Sequence, residues 1–122
     1  MILTGGAAVA MTPEAKVKEK VKQLLKRNGA WFYMPVQNGM GKVGIPDFIG
    51  TYKGLFFAVE TKAPNKTPTT EDQRWNKATA NQQMRIEEIR DAGGIAIIAD
   101  DVTQVQQMLD TLDAIDVFRG AV

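Results

Sequence analysis

Two charged residues stand two positions apart at the end of an apolar segment. Glu60 and Lys62 close the run Leu-Phe-Phe-Ala-Val-Glu-Thr-Lys at residues 55–62, which is predicted to be a strand. Because side chains alternate along a strand, both charges leave the same face. An isolated Glu-x-Lys pair is more often an ion pair where a strand reaches solvent, since these residues are rarely buried without partners. On its own, the pair predicts no chemistry.

A second carboxylate, Asp47, makes a cation site the stronger interpretation. It follows Pro46 in the strand predicted at residues 45–50. The Lys-Gly pair at 53–54 predicts a tight turn, so the two strands form a hairpin that brings Asp47 near Glu60. Two close carboxylates repel each other unless a cation or a proton lies between them, and Mg²⁺ prefers oxygen ligands. The alternative for Asp47 is an ordinary turn residue after proline.

The residue types that are absent narrow the chemistry further. The chain has 122 residues and contains no Cys, no His and no Ser. This excludes disulfides, thiolate and serine nucleophiles, imidazole acid–base catalysis and the usual structural zinc sites. Carboxylates combined with a hard cation are the chemistry that the remaining residues favour.

Charge is distributed unevenly along the chain. Residues 12–77 carry twelve Lys and Arg against six Asp and Glu, whereas residues 78–122 carry three against eight. This asymmetry indicates a polyanionic partner, and a solvated helix face with an acidic tail explains it equally well. The side chains expected to contact DNA phosphates are Lys18, Lys22, Lys42, Lys66, Arg74 and Lys77. Trp75 is expected to pack back onto the core.

The predicted elements form one domain at residues 12–122, after a flexible tail at 1–11. A helix begins at Thr12-Pro13 and is followed by a strand at 30–36, a Gly-rich mobile loop at 38–44 and the hairpin. A long loop, or a loop followed by a short helical turn, occupies residues 63–77. It leads to a helix at 79–92, a strand at 95–99 and a last helix from Val102. The order is αβββαβα, an α/β (mixed α+β) fold. No apolar run approaches the roughly 20 residues that span a membrane, and the absence of a targeting signal favours the cytoplasm.

Two further residues are candidates for the site. Glu14 projects within the arc of Val17 and Val21 at helical spacing, where an acid needs a reason. A first-turn acid also complements the helix dipole, and both interpretations stay open. Gln82 shares the inward face of its helix with Ile86. It could hold a water or a phosphate, or be a polar residue without chemistry.

Together these segments resemble the VRR-Nuc family, virus-type replication-repair nucleases of the PD-(D/E)xK superfamily. The resemblance covers residues 12–100. It rests on Thr-Pro-Glu at 12–14, Gly-Ile-Pro-Asp-Phe-Ile-Gly at 44–50, Phe-Ala-Val-Glu-Thr-Lys-Ala at 57–63, and a Gln before a helix that ends in Ala-Gly-Gly. It implies a restriction-endonuclease-like core, in which helices flank a central mixed sheet.

The resemblance also implies roles for the site residues. Asp47 and Glu60 would bind Mg²⁺, for which Mn²⁺ substitutes, with the Thr61 carbonyl and Glu14 as further ligands. Lys62 would be the catalytic lysine, which orients or helps to deprotonate the attacking water.

The glutamine of the family corresponds to Gln82 by its spacing to the Ala-Gly-Gly sequence. The linker after Lys62 is longer than the family pattern, which leaves Gln73 as a rival.

The function implied is a Mg²⁺-dependent DNA endonuclease that hydrolyses phosphodiester bonds. The family further implies a homodimer that acts on branched DNA such as Holliday junctions, encoded by a phage or prophage and serving DNA repair in a bacterial host. One alternative is a non-catalytic nucleic-acid-binding module of the same fold. Another is an interaction scaffold whose charges only solvate it. Clustered carboxylates favour the enzyme, because a pure binder has no use for groups that repel phosphate.

Overall fold

The computed structural model describes residues 10–36 and 41–120. Within these ranges the helices are α1 (Pro13–Arg27), α2 (Glu71–Lys77), α3 (Ala80–Asp91) and α4 (Val102–Gly120). The strands are β1 (Trp31–Tyr33), β2 (Phe48–Tyr52), β3 (Leu55–Thr61) and β4 (Ile95–Ala99). The observed order, αβββααβα, contains one helix more than the sequence predicts.

The four strands form a single mixed sheet in the order β1-β2-β3-β4. The hairpin of β2 and β3 pairs Phe48 with Val59, and β1 is antiparallel to β2. Strand β4 is parallel to β3 and lies at the sheet edge. Gly50 permits the close approach of β1 and β2, because a Cβ there would lie 2.0 Å from the carbonyl oxygen of Trp31.

Helices cover both faces of the sheet, as predicted. On one face, α1 and α4 pack on β3 side chains such as Phe57 and Val59, which are fully buried. On the other face, Ile86 of α3 packs on Ala58 of β3. This alternation along β3 separates two apolar clusters and fixes the face from which each later residue of the strand leaves.

Helix α2 lies in the segment at 63–77, which was predicted to be a long loop or a loop followed by a short helical turn. The second alternative is the observed one, with a helix of seven residues. No apolar periodicity indicates a helix in this segment. A capping box forms it instead: the Thr70 hydroxyl accepts from the Gln73 N–H, and the Gln73 side chain accepts from the Thr70 N–H. Trp75 packs against the cluster that contains Ile86, which confirms the expectation that it packs on the core.

Other boundaries also differ from the prediction. Strand β1 has three residues rather than the seven predicted at 30–36, and β2 begins at Phe48 rather than at position 45. The predicted tail falls outside the described residues except for positions 10 and 11, as do residues 38–40 of the predicted loop at 38–44. Across residues 10–36 and 41–120, the structure contains no helix long and apolar enough to cross a bilayer.

Candidate active site

The end of β3 supplies three consecutive polar side chains to the candidate site. Glu60 is buried, with 4% of its surface exposed, and leaves the sheet on the α3 face. Thr61 is fully buried and points to the opposite face. The backbone N–H of Lys62 donates to the carbonyl of Ala99 at 2.8 Å, so the parallel pairing with β4 continues past the end of the strand. The sheet thus fixes the backbone on which all three side chains stand.

Asp47 lies directly before β2 and beside the end of β3. The register of Phe48 with Val59 places Asp47 next to Glu60 across the hairpin. The Asp47 Oδ2 accepts two hydrogen bonds from Thr61, from the backbone N–H at 3.0 Å and from the hydroxyl at 2.5 Å. Asp47 is therefore held in place by the residue between Glu60 and Lys62. The hairpin expected from the sequence does bring the two carboxylates together.

Lys18, a residue of α1, also belongs to this cluster. Its ammonium donates to the Asp47 Oδ1 at 3.3 Å, and its side chain is 38% exposed. The sequence placed Lys18 among the contacts to DNA phosphate, and the structure puts it against a proposed metal ligand. No sequence signal singles it out from the other lysines of α1, because the contact depends on how α1 crosses the sheet.

Gln82, in the first turn of α3, bridges the two charged residues of β3. Its Nε2 donates to the Glu60 Oε2 at 3.2 Å, and its Oε1 accepts from the Lys62 Nζ at 2.8 Å. The same Oε1 accepts from the Thr79 N–H at 3.0 Å as part of a capping box. The rival residue, Gln73, caps α2 and is exposed. The structure therefore brings Gln82 to the site and leaves Gln73 in a structural role.

The electrostatics of the site centre on Glu60. Burial and, to a smaller extent, the negative charge of Asp47 raise its pKa to about 8, against the lowering effect of Lys62. Glu14 also raises this pKa although Glu14 itself is exposed, and Lys18 lowers it. The Lys62 ammonium lies 3.8 Å from the Glu60 Oε2, too far for a strong ion pair. Glu60 is therefore a buried carboxylate that lacks sufficient positive charge.

The donor set fits a hard divalent cation. Two adjacent carboxylates, one of them buried with a raised pKa, are stabilised by a positive charge between them. Among the described residues, no group of three or more carboxylate, imidazole or thiol side chains is close enough to hold an ion. Mg²⁺ suits the smaller set, because it keeps several waters and is held by one or two carboxylates plus substrate phosphates. The participation of Glu14 and of the Thr61 carbonyl stays a prediction.

The other basic residues that were expected to contact DNA fall into two groups, according to whether they are bonded within the protein. Lys42 and Lys66 are exposed, and Lys22 is half-buried on α1. Lys77 is bonded within the protein, to the Asp100 Oδ2 at 2.8 Å and to a backbone carbonyl at 2.9 Å, and Arg74 donates to the carbonyl of Thr69 at 2.7 Å. Lys77 therefore ties α2 and the segment before it to Asp100, whereas the contact of Arg74 is local to the start of α2.

Asp100 is a buried acid that the sequence did not single out. Burial alone would raise its pKa, but hydrogen bonds from Lys77, Thr69 and Gln104 outweigh burial and hold the pKa below its usual value. Its position directly after β4 was the available signal, since a charged residue that ends a buried strand needs partners. Its contacts mark it as a structural acid.

Gly44 lies where the loop before Asp47 contacts the first turn of α3, the turn that carries Gln82. A Cβ at this position would lie 2.5 Å from the carbonyl carbon of Asn81 and 2.7 Å from the backbone nitrogen of Gln82. Its φ of +79° is also unfavourable for other residues. Nearby, Arg85 donates to the carbonyl of Val43 at 3.0 Å. The loop that leads to Asp47 is thus packed against the first turn of α3 at Gly44. The mobility expected of residues 38–44 stays a prediction.

A cavity of about 430 Å³ lies elsewhere, between α2, β4 and α4. Trp75, Ile97 and Met108 are among its lining residues, whereas Asp47, Glu60 and Lys62 are not. It borders the open edge of β4, which explains why Ile97 is only half-buried although β4 was predicted to be buried on both faces. The candidate active site therefore lies outside this cavity.

Comparison with solved structures identifies the fold. A structure described as a VRR_NUC domain superposes with a TM-score of 0.60 over 82% of this chain and 97% of its own, at 20% sequence identity. A VRR_NUC domain protein superposes with the same TM-score over 84% of this chain and 89% of its own, at 18% identity. No protein-family model and no curated protein sequence matches. The predicted mixed α/β, restriction-endonuclease-like fold is confirmed.

Proposed function

We propose that this protein is a nuclease of the VRR-Nuc family, a Mg²⁺-dependent endonuclease that hydrolyses phosphodiester bonds in DNA. The fold shared with VRR_NUC domains supports the family. The observation that carries the activity is the convergence of Asp47, Glu60, Lys62 and Gln82 in one cluster, at the positions that the family resemblance marks as functional. Mn²⁺ is expected to substitute for Mg²⁺.

Asp47 and Glu60 are the residues that would hold the cation in this cluster. When bound, Mg²⁺ supplies Lewis-acid stabilisation of negative charge on the scissile phosphate. Glu60 must be ionised to serve as a ligand, and its raised pKa shows that this ionisation is unfavourable until a positive charge arrives. Thr61 keeps Asp47 in one orientation through both of its donors.

Lys62 and Gln82 act on the water and the phosphate. The Lys62 ammonium, anchored by the Gln82 Oε1, lies on the same face as Glu60 and can donate to a phosphate oxygen as charge grows there. Gln82 holds both Glu60 and Lys62, so it fixes their separation. In-line attack of water on phosphorus then breaks the bond to the leaving oxygen, without a role for the absent His, Cys or Ser.

The substrate is proposed to be branched DNA, such as a Holliday junction, and the active species a homodimer. The exposed Lys42 and Lys66 and the half-buried Lys22 are the remaining candidates for contacts to the DNA backbone. Such contacts are independent of sequence, which suits recognition of DNA structure. A cytoplasmic, phage- or prophage-encoded role in DNA repair follows from the same family resemblance.

The second candidate, a non-catalytic binding module, is less consistent with Glu60. A buried carboxylate beside a second carboxylate destabilises the protein and repels phosphate. A module that only binds DNA would gain from its replacement by a neutral residue. The intact cluster therefore favours catalysis.

The decisive experiment is cleavage of labelled four-way junction, flap and linear duplex DNA, in Mg²⁺ and in EDTA. We expect Mg²⁺-dependent cleavage of a branched substrate, no cleavage in EDTA, and loss of cleavage with retained binding in Lys62→Ala. Lys26→Ala is the matched control, since it removes an exposed lysine in the last turn of α1 that is not among the expected DNA contacts. Cleavage by Lys62→Ala at the parental rate would overturn the active-site assignment. Binding without cleavage of any substrate by the parent protein would support the binding module.

A further inference from the structure

The Lys18 ammonium contacts the Asp47 oxygen to which Thr61 does not donate. Thr61 directs both of its donors to Oδ2, while the Lys18 ammonium lies 3.3 Å from Oδ1. Only 13% of the Asp47 side chain is exposed, so water offers this carboxylate limited stabilisation. The two oxygens therefore have different partners, one from the neighbouring strand and one from a long side chain on α1.

The charges around Lys18 come from three elements. Glu14 stands one turn earlier on α1, Asp47 precedes β2, and Glu60 and Lys62 lie at the end of β3. Lys62 and Lys18 are both cations that lower the pKa of Glu60. Lys62 is anchored by Gln82, whereas Lys18 has a partly exposed stem and is free to swing away.

We propose that Lys18 is the resident counter-ion of the metal-free site, where it competes with the divalent cation for Asp47 and leaves Oδ1 when that cation binds. The inference rests on the proposed function, because it assumes that Asp47 is a metal ligand. Positive charge at Lys18 stabilises Asp47 in the empty site and opposes the approach of a second cation. Lys18 thereby sets the metal affinity of the protein and is a positioning residue with no chemical step of its own.

The geometry explains why this lysine and not its neighbours has the role. Lys22 lies one turn further along α1, and it is Lys18 of this helix whose ammonium contacts Asp47. Replacing it removes the same charge from the same helix. Lys22→Met is therefore the matched control for Lys18→Met, which keeps the aliphatic stem and removes the ammonium.

The test is a calorimetric titration of the metal-free protein with Mn²⁺ in the absence of DNA. Lys18→Met is expected to bind Mn²⁺ about tenfold more tightly than the parent, because a unit charge close to the ligand no longer opposes the cation. Lys22→Met should stay within about twofold of the parent, since exposed charges further away are screened. Lys18→Arg, which keeps the charge, should resemble the parent.

Thermal unfolding supplies the second readout. Metal-free Lys18→Met should unfold at a lower temperature than the parent, because Asp47 loses its partner, and saturating Mn²⁺ should close this gap. A Lys18 with a purely structural role would leave the gap unchanged.

Two results would overturn the proposal: Mn²⁺ affinity in Lys18→Met equal to or weaker than that of the parent, or a temperature gap that Mn²⁺ does not close. The unfolding curves of metal-free Lys18→Met also show whether it is folded, and Lys18→Arg tests the charge if it is not. Failure of the parent and of all variants to bind Mn²⁺ would overturn the metal-dependent function itself, which is a different outcome.

Discussion

The hydroxyl and the backbone N–H of Thr61 both donate to the same oxygen of Asp47, at 2.5 and 3.0 Å. Thr61→Val keeps the shape and the backbone donor and removes only the hydroxyl. A buried hydrogen bond to a charged group contributes about 1.5–3 kcal/mol, so we expect a stability loss of this order in denaturant unfolding. Metal affinity should also fall, because Asp47 is less well oriented. Thr61→Ser, which retains a hydroxyl, should recover most of both.

Glu60 should make the metal-free protein less stable as pH rises. Its pKa is about 8 when folded, against an ordinary value of 4.5, so between these values the folded state holds a proton that the unfolded state has lost. Stability is therefore greatest below pH 4.5 with respect to this group, and falls through the window with a slope approaching about 1.4 kcal/mol per pH unit.

Glu60→Gln should remove this component of the pH dependence, and at pH 8 the metal-free variant should unfold at a higher temperature than the parent. Mg²⁺ should raise the unfolding temperature of the parent and leave that of Glu60→Gln unchanged. Equal slopes of stability against pH in the two proteins between pH 5 and 8 would show that Glu60 is already ionised in the folded state.

Gln82 and Gln73 provide a matched pair, because each is the third residue of its helix and completes a capping box with the N-cap threonine. Alanine at either position should cost about 0.5–2 kcal/mol of stability through the lost cap. Only Gln82→Ala removes contacts to Glu60 and Lys62, so only this variant should lose nuclease activity, by tenfold or more. Cleavage assays and unfolding curves on both proteins separate the two roles. A comparable loss of activity in Gln73→Ala would restore Gln73 as a site residue.

Gly44 and Gly54 separate backbone strain from steric overlap. Both have positive φ, +79° and +78°, but a Cβ at Gly44 meets the backbone of Asn81 and Gln82, whereas at Gly54 nothing lies within 4 Å. Gly54→Ala should cost about 1 kcal/mol, the ordinary penalty for a left-handed residue. Gly44→Ala should cost more, about 2–4 kcal/mol, and should reduce activity because it pushes Asp47 away from Gln82. Equal costs in chemical denaturation would mean that the loop yields without strain.

Replacing Lys77 and replacing Lys66 should affect different properties, stability in the first case and DNA binding in the second. Lys77→Ala leaves the buried Asp100 without its ion pair, which should cost about 2–4 kcal/mol and make stability less dependent on pH in acid, since the pKa of Asp100 is no longer held as low. Lys66 is exposed, so Lys66→Ala should change stability by less than about 0.5 kcal/mol. If Lys66 contacts DNA, its replacement should reduce the salt dependence of binding by about one ion. Unfolding and salt titrations of binding measure both effects.

The sequence was sufficient for the hairpin and for the group built on it. Alternation along 55–62 and a tight turn at Lys53-Gly54 follow from local rules, and they bring Asp47 to Glu60 without any knowledge of the tertiary structure. The resemblance to VRR-Nuc added the overall fold, which the solved structures confirm. Local rules and the family pattern agreed here because the site is built at the end of one hairpin.

Two contacts could not be decided from the sequence, since each depends on tertiary packing. Lys18 is one of several lysines on α1, and only the crossing of α1 over the sheet selects it. Spacing to the Ala-Gly-Gly sequence favoured Gln82 and left Gln73 as a rival, and the position of α3 decides between them. The full length of α2 was not predicted, because a capping box rather than apolar periodicity forms it. Lys18 and Gln82 both reach the site from outside the hairpin.

The burial of Glu60 has a consequence for attempts to engineer or evolve this protein. Ionised Glu60 destabilises the folded protein when no cation is bound, yet the proposed activity requires this carboxylate. Stability and activity therefore make opposite demands at position 60. Selection for yield or heat resistance, applied at alkaline pH without divalent cations, should enrich neutral residues at position 60 and produce well-behaved but inert variants. Including Mg²⁺ during such a selection removes that bias, because the parental carboxylate then has its partner.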